Sequence, residues 1–411
     1  RGSRYAVCMD EPRRAIFWDD GTGLLAPMRD LRPIFAVRTG ALTTRERLTR
    51  ALGVETAAVF VPEELVGVTR ESHAEPVNEL AKDAGPVLVL NGRCPLPLDE
   101  IDQLGEGSAL VEPSGDVVAA YLDAAEALEL LHSGRPDMEE VGLGHDVLIT
   151  RPWHIRSGRD LCLSVDLQLL AGEVQHLIDP PENVTLIGSE PPRVAETATL
   201  FPNCVFDTTG GPIVIDGHAT IRPRAIICGP TYIGPNSTVL DAAIIKPNTA
   251  LGPWCKVAGE VGGTIMQGYS NKAHDGHLGD SWLGEWVNLG AGTVNSNLLN
   301  TYGEVAAIAE PGGDRELTGE TFFGCVLGDH VKAAIGTRIF TGAIAHTGAM
   351  WAATEPMGGC VPRLCWKTDA GESVYRHEKF VEVARAAMGR RNVEPGEAYL
   401  ERLASLAEPT K

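Results

Sequence analysis

From residue 215 onward an aliphatic side chain returns every six positions: Ile215, Ile221, Ile227, Ile233, Val239, Ile245, Leu251 and Val257. Four residues after each of the first seven sits a small one: Ala219, Ala225, Thr231, Ser237, Ala243, Thr249 and Cys255. A period of six suits neither an α-helix nor a simple alternating strand. It suits short strands joined by turns, three to a triangular coil of about 18 residues. The aliphatic column then points inward and the small column fits the crowded corner. Coils stack at about 4.8 Å, the ordinary strand spacing. Each buries its apolar column only against its neighbours, so the stack needs several coils and end caps. A β-sandwich with fortuitous spacing would not keep eight positions in phase.

The six-residue step is interrupted at 260–277, EVGGTIMQGYSNKAHDGH, which reads as a polar loop. It resumes at Leu283 and Leu289, and again through Leu327, Ala333, Ile339, Ala345 and Trp351. The last stretch, 378–411, is helical by pattern and is expected to cap the open end of the stack. For Arg390 and Arg391 the alternative use, if the chain takes acyl-CoA, is contact with the CoA phosphates, but the cap is the favoured reading.

Residues 4–170 differ. Strand-like runs at Tyr5–Met9, Ala57–Val61, Val87–Leu90 and Val117–Tyr121 alternate with helical patterns. Thr43 with Glu46, and Asp123 with Glu126, form capping boxes that start two of the helices. This alternation predicts an α/β domain on a largely parallel sheet. The expected organisation is an α/β domain over 1–175, a Pro-containing linker over 176–192 (Pro180-Pro181, Pro191-Pro192), a coil over 193–355 and a helical tail over 356–411.

Composition narrows the partners. Of 411 residues, 55 are acidic and 35 basic, a net charge of −20, and no Lys/Arg run breaks the pattern. A nucleic-acid partner is therefore not expected, although a few local cations would serve a small anion. No apolar run is long enough for a membrane helix. Nine scattered cysteines without a CxxC pair fit reduced thiols in a cytoplasm, and RGSRYAVCMD shows no signal-peptide pattern.

The repeat resembles the hexapeptide-repeat family of left-handed parallel β-helices. That resemblance implies an acyltransferase using acyl-CoA, with acetyl-CoA the expected co-substrate, assembled as a homotrimer. The segment DDGTGLLAPMRDLRPIFAVRTGALTTRERL, residues 19–48, resembles the start of a sugar nucleotidyltransferase. Together they are similar to bacterial proteins related to the bifunctional UDP-N-acetylglucosamine pyrophosphorylase/glucosamine-1-phosphate acetyltransferase. The chain departs from that pattern twice. Leu24 stands where the nucleotidyltransferase turn carries a cation, and Arg93, in VLVLNGRCPL, stands where its Mg²⁺-binding Asp falls. A guanidinium cannot ligate Mg²⁺. Either Asp19 or Asp20 holds the metal, or the domain no longer transfers nucleotides and only binds a sugar nucleotide, with Arg32 and Arg93 on its phosphates.

The segment HLGDSWLGEWVNLGAGTVNSN resembles the acetyltransferase half of the bifunctional enzyme. Matching Gly279-Asp280 places His274 on that family's catalytic histidine and Asn297 on its active-site asparagine. His277 falls on its tyrosine. Ala291, Gly292 and, later in the coil, Ala353 fall near the CoA arm. His274 is the expected general base: its neutral imidazole removes a proton from an amino-sugar nitrogen, which then attacks the thioester. Lys272 is a candidate for substrate phosphate; Asn271 and Tyr269 for sugar hydroxyls; Glu260 for the amine. A metal alternative draws on His274, His277, His330 and His346, but no tetrahedral set is fixed by their spacing. The expected function is acyl transfer to the amino group of a sugar phosphate or nucleotide sugar. The alternatives are a bifunctional enzyme, needing Mg²⁺, and a non-catalytic sugar-nucleotide-binding regulator.

Overall fold

A computed structural model describes residues 12–81, 85–132, 134–177, 180–181 and 183–407. The expected strand at Tyr5–Met9 lies outside them.

Among the described residues the N-terminal domain has six strands: β1 (Arg14–Trp18), β2 (Glu55–Phe60), β3 (Val87–Asn91), β4 (Ser108–Val111), β5 (Val117–Leu122) and β6 (Glu139–Gly142). Their order is β2-β1-β3-β5-β4-β6. The sheet is mixed, because β5 runs antiparallel to both β3 and β4. Five helices accompany it: α1 (Thr44–Leu52), α2 (Glu63–Ser72), α3 (Asp99–Asp102), α4 (Ala124–Leu131) and α5 (His154–Leu170). Both capping boxes form, at Thr43/Glu46 and Asp123/Glu126. Arg47 of α1 is fully buried and meets Asp166 of α5 through two 2.7 Å hydrogen bonds. That arginine is therefore structural.

The rest of the chain winds into a left-handed parallel β-helix with faces of six, nine and ten strands. Every member of the aliphatic and small columns named above is fully buried. Complete burial of each aliphatic side chain contributes about 1.5–3 kcal/mol. The corners take left-handed backbone at His218, Arg224, Asn236, Ala242, Asn248 and Trp254, with φ near +60°. This six-residue step fixes the turn as surely as the apolar column fixes the strands. The ladder runs from Thr185–Ile187 to Cys365–Thr368, reaching into the stretches read as linker and tail.

Residues 260–277 do not form the expected loop. They continue the coil through Glu260–Gly262, Ile265–Gly268, Asn271–Lys272 and His277–Gly279. The coil there is merely shorter: Thr231 pairs with Thr249, but Ala250 pairs with Ile265. Its apolar positions lose phase without losing their place. The real excursion follows Val294–Asn295 and carries a small hairpin, Ala306–Ala307 with Glu316–Leu317.

The helical tail is not the end cap. The last ladder strand folds back as an antiparallel hairpin, Cys365–Thr368 with Gly371–Val374, which occupies the edge. The tail then forms α6 (His377–Gly389) and α7 (Glu397–Ala407), and α7 packs on α2 of the N-terminal domain.

The two domains share a core. Outward-facing Val214, Tyr232, Ala250, Ile265 and Trp282 of one coil face pack with Ile155, Leu163 and Leu167 of α5. Polar contacts lock the seam. Gln267 accepts from the Arg38 N–H at 2.7 Å and donates to the Ala36 carbonyl at 3.0 Å. The Trp282 indole donates to the Arg38 carbonyl at 3.1 Å.

Candidate active site

The N-terminal remnant is closed by its own side chains. The buried Arg93 guanidinium donates to Asp20 at 2.6 and 3.0 Å and to Asp116 at 2.7 Å. Asp20 also accepts from Asn91 and from Thr22. Burial works to raise the Asp20 carboxyl, yet the Arg93 contacts hold it below the usual range. Asp19 accepts from the Gly21 and Ile34 amides, and burial raises its pKa. Both Asp20 oxygens are bonded to Arg93, and Asp19 is buried with an amide on each oxygen, so this pair does not fit Mg²⁺. Arg93 gives its Nε and Nη2 to Asp20 and Asp116, while its buried Nη1 has no hydrogen-bond partner among the described residues.

Arg32 is committed as well. It forms a two-pronged bond to Asp329 at 2.9 and 3.0 Å and lies 3.2 Å from Glu285. The expectation that it contacts substrate phosphate is corrected: it clamps the N-terminal domain to the coil.

On the coil, the six-stranded face ends at His277–Gly279, and a polar cluster gathers there. His277 Nδ1 lies 3.6 Å from Glu260 Oε1, because the two residues are register partners on neighbouring strands. A Cβ on Gly279 would lie 2.5 Å from His277 Nε2 and 2.8 Å from Asn297 Nδ2. The bare glycine backbone therefore lets the ring and the amide share one point. Asn297 donates to Asp280 at 2.8 Å. Asp280 in turn accepts from Arg156 at 3.1 Å and Arg159 at 2.8 Å, both on α5. Sequence reasoning took Asp280 only as a motif anchor and missed Arg156 and Arg159; no motif marks the two arginines, which come from another domain. His277 and Glu260 remain partly exposed.

The other expected residues divide. His274 is exposed on the adjoining corner, and its imidazole has no hydrogen-bond partner among the described residues. Lys272 is buried, and its ammonium donates to the carbonyls of Ala258, His274 and Asp275. Burial lowers its pKa to about 8. It braces the His274 corner and has no reach to a substrate phosphate, which corrects that expectation. Tyr269 takes φ +53° at a coil corner and stacks on Trp286 at 4.4 Å, away from the Glu260 cluster. Asn271 accepts from Arg391 at 3.2 Å. The Ala291 carbonyl accepts from the Gly336 amide, Gly292 turns at φ +70°, and Ala353 packs against the coil core. The histidines of the metal alternative are dispersed: His330 bonds Tyr399 and His346 bonds the Ala309 carbonyl. Among the described residues no group of three His, Cys, Asp or Glu is placed to hold a metal, and no helix is long and apolar enough to cross a membrane. Their eight cysteines are all free.

Residues 15–174 match the sugar nucleotidyl transferase family. The protein named bifunctional protein GlmU from Nostoc sp. is 28% identical over 214 residues, 46% of this chain and 45% of that protein. The protein of the same name from Trichodesmium erythraeum is 33% identical over 130 residues, 26% of this chain and 27% of that one. The chain spans less than half the length of these relatives. Among solved structures, Francisella novicida UDP-N-acetylglucosamine acyltransferase aligns at 13% identity and TM-score 0.23, covering 54% of this chain and 90% of its own. A point mutant of perosamine N-acetyltransferase from Caulobacter crescentus, in complex with CoA and GDP-perosamine, aligns at 9% identity and TM-score 0.17, covering 90% and 99%. Both overlaps are too slight to bear on fold or activity. Over residues 15–174 the chain is thus similar to the sugar nucleotidyl transferase family, and over less than half of its length to proteins named GlmU.

Proposed function

We propose that this protein transfers an acyl group, acetyl in the simplest case, from acyl-CoA to the amino group of a sugar phosphate or nucleotide sugar. The observation that carries the reading is the Glu260–His277–Asn297 cluster on the coil. An ammonium must lose a proton before it is a nucleophile. Neutral His277 accepts that proton at Nε2, and the Glu260 carboxylate beside Nδ1 steadies the resulting imidazolium. The freed amine attacks the thioester carbon, the oxyanion is met by coil-turn N–H groups, and the C–S bond breaks to release CoA thiolate. The first proton leaves the imidazolium for solvent; His277 then takes the second proton from the attacking nitrogen in the tetrahedral intermediate and passes it to the thiolate, leaving amide and free thiol. Asn297, held by Asp280, orients the acceptor. A homotrimer would wall this otherwise open face; exposed Ile335 and Phe340 on the coil surface support an apolar neighbour.

A second reading has one specific support: motif spacing puts His274 in the base position, and Lys272 braces its corner from beneath. One experiment separates the two. Thiol release from acetyl-CoA is followed with glucosamine-1-phosphate and other amino-sugar phosphates. With His277 as base, His277→Asn lowers kcat/KM by about a hundredfold or more, while His274→Ala retains most activity. The opposite ranking assigns the base to His274. No turnover by the wild-type chain with any amino sugar overturns acyl transfer itself.

A further inference from the structure

A cavity of about 530 Å³ lies between α6 and the ten-stranded coil face. It is lined by four cations: Lys256 and Lys332 from the coil, Arg390 and Arg391 from the end of α6. Among the described residues no carboxylate lines it. None of the four is in an ion pair with a described residue. Arg391 reaches only the Asn271 amide oxygen, and Lys332 only the Trp286 carbonyl. In a chain of net charge −20, four unneutralised cations around one hollow are anomalous. Elsewhere its arginines are heavily paired, as at Arg32, Arg47, Arg93 and Arg363.

We propose that this cavity binds the pyrophosphate of a nucleotide. The charge asks for a polyanion, and the volume falls in the range of about 300–1,000 Å³ usual for organic ligands, beyond the needs of a single phosphate. The two arginines suit forked contact with phosphate oxygens, and the lysines add point charges. Asn271 and Asn288 supply amides on the same wall, and the edges of Tyr269 and Trp286 border the hollow. Enclosure by α6 excludes a duplex or a membrane surface. Burial has lowered Lys332 to a pKa of about 8, as expected of a cation awaiting its counter-charge. The ligand is either a nucleotide sugar or the nucleotide end of CoA; both present the same diphosphate. The inference does not require His277 or His274 to act as a base.

The test is calorimetric titration of the full chain with inorganic phosphate, inorganic pyrophosphate, UDP and coenzyme A. Pyrophosphate is expected to bind at least about tenfold more tightly than phosphate, with affinity falling as salt rises. Lys256 and Arg390 are exposed, so a Lys256→Gln/Arg390→Gln variant should keep its unfolding temperature and lose about tenfold or more in affinity. Whichever of UDP and coenzyme A binds more tightly than bare pyrophosphate names the source. Equal binding of phosphate and pyrophosphate, an unaffected variant, or both nucleotides weaker than pyrophosphate overturns the proposal. His277→Asn should leave these affinities unchanged, so a failed acyl-transfer assay and a failed titration remain distinct results.

Discussion

The Arg32 guanidinium meets the Asp329 carboxylate through two parallel bonds of 2.9 and 3.0 Å, joining residues 297 positions apart. Asp329 is fully buried and Arg32 nearly so. Removing Asp329 leaves the buried guanidinium only the partly exposed Glu285 at 3.2 Å, at a cost of up to about 3–5 kcal/mol. Asp329→Asn should therefore lower the unfolding temperature markedly, and the double variant Arg32→Met/Asp329→Leu by less. Thermal denaturation checks both; equal losses would deny the pairing.

Arg93 plays the matching part inside the N-terminal domain. With Asp20 and Asp116 both bonded to it, Arg93→Ser should destabilise the protein by about 3 kcal/mol. The wild-type chain given UTP, a sugar-1-phosphate and Mg²⁺ should release no pyrophosphate above background. Turnover in that assay would show that another constellation holds the metal.

If Glu260 steadies the His277 imidazolium, Glu260→Gln should reduce kcat by about ten- to a hundredfold with a smaller change in KM. Glu260→Asp should restore part of the loss. A merely structural Glu260 would shift unfolding temperature and leave the kcat-to-KM split untouched.

Two buried imidazoles set the acid limit. Burial lowers His346 to a pKa of about 4 and His330 well below its usual value. Between pH 6.5 and 4 the unfolded chain takes up a proton at His346 that the native chain does not, so stability falls as pH falls through that window. For His346 alone the loss is about 3 kcal/mol. His346→Gln should flatten the stability profile from pH 6.5 to 4, read by denaturant titration at each pH.

The lowered lysine gives a second, opposite handle. Above a pKa of about 8 Lys332 is neutral in the free protein. Pyrophosphate binding must then recruit a proton, so its affinity should fall by up to about tenfold per pH unit from pH 8 towards 10. Lys332→Met should remove that dependence.

The coil is legible in the sequence because its inward positions repeat with one period and nothing else competes for them; Ile215 to Val257 read directly as core. Where coils shorten, at Ala250 with Ile265, the same apolar logic persists but its period does not, and residues 260–277 look like a loop. His277 and Asn297 are legible from a motif, as is the Glu260 neighbourhood. Lys272, Arg32 and Arg93 mislead for one reason: sequence displays a cation but not the carbonyls or carboxylates that consume it. Asp280 is visible as a motif anchor, but its bonds to Arg156 and Arg159 are not, because their meeting depends on how α5 docks on the coil.

At one corner of the coil, rings from successive turns stack in series: Trp254 on Tyr269, Tyr269 on Trp286, and Trp286 on His330, at 6.5, 4.4 and 6.4 Å. His330 then bonds the hydroxyl of Tyr399, on α7, at 2.7 Å. The solenoid thus carries an optical tether to its own C-terminus. Lifting the last helix should change the emission of indoles it never touches, making tail release visible in a cuvette without any added label.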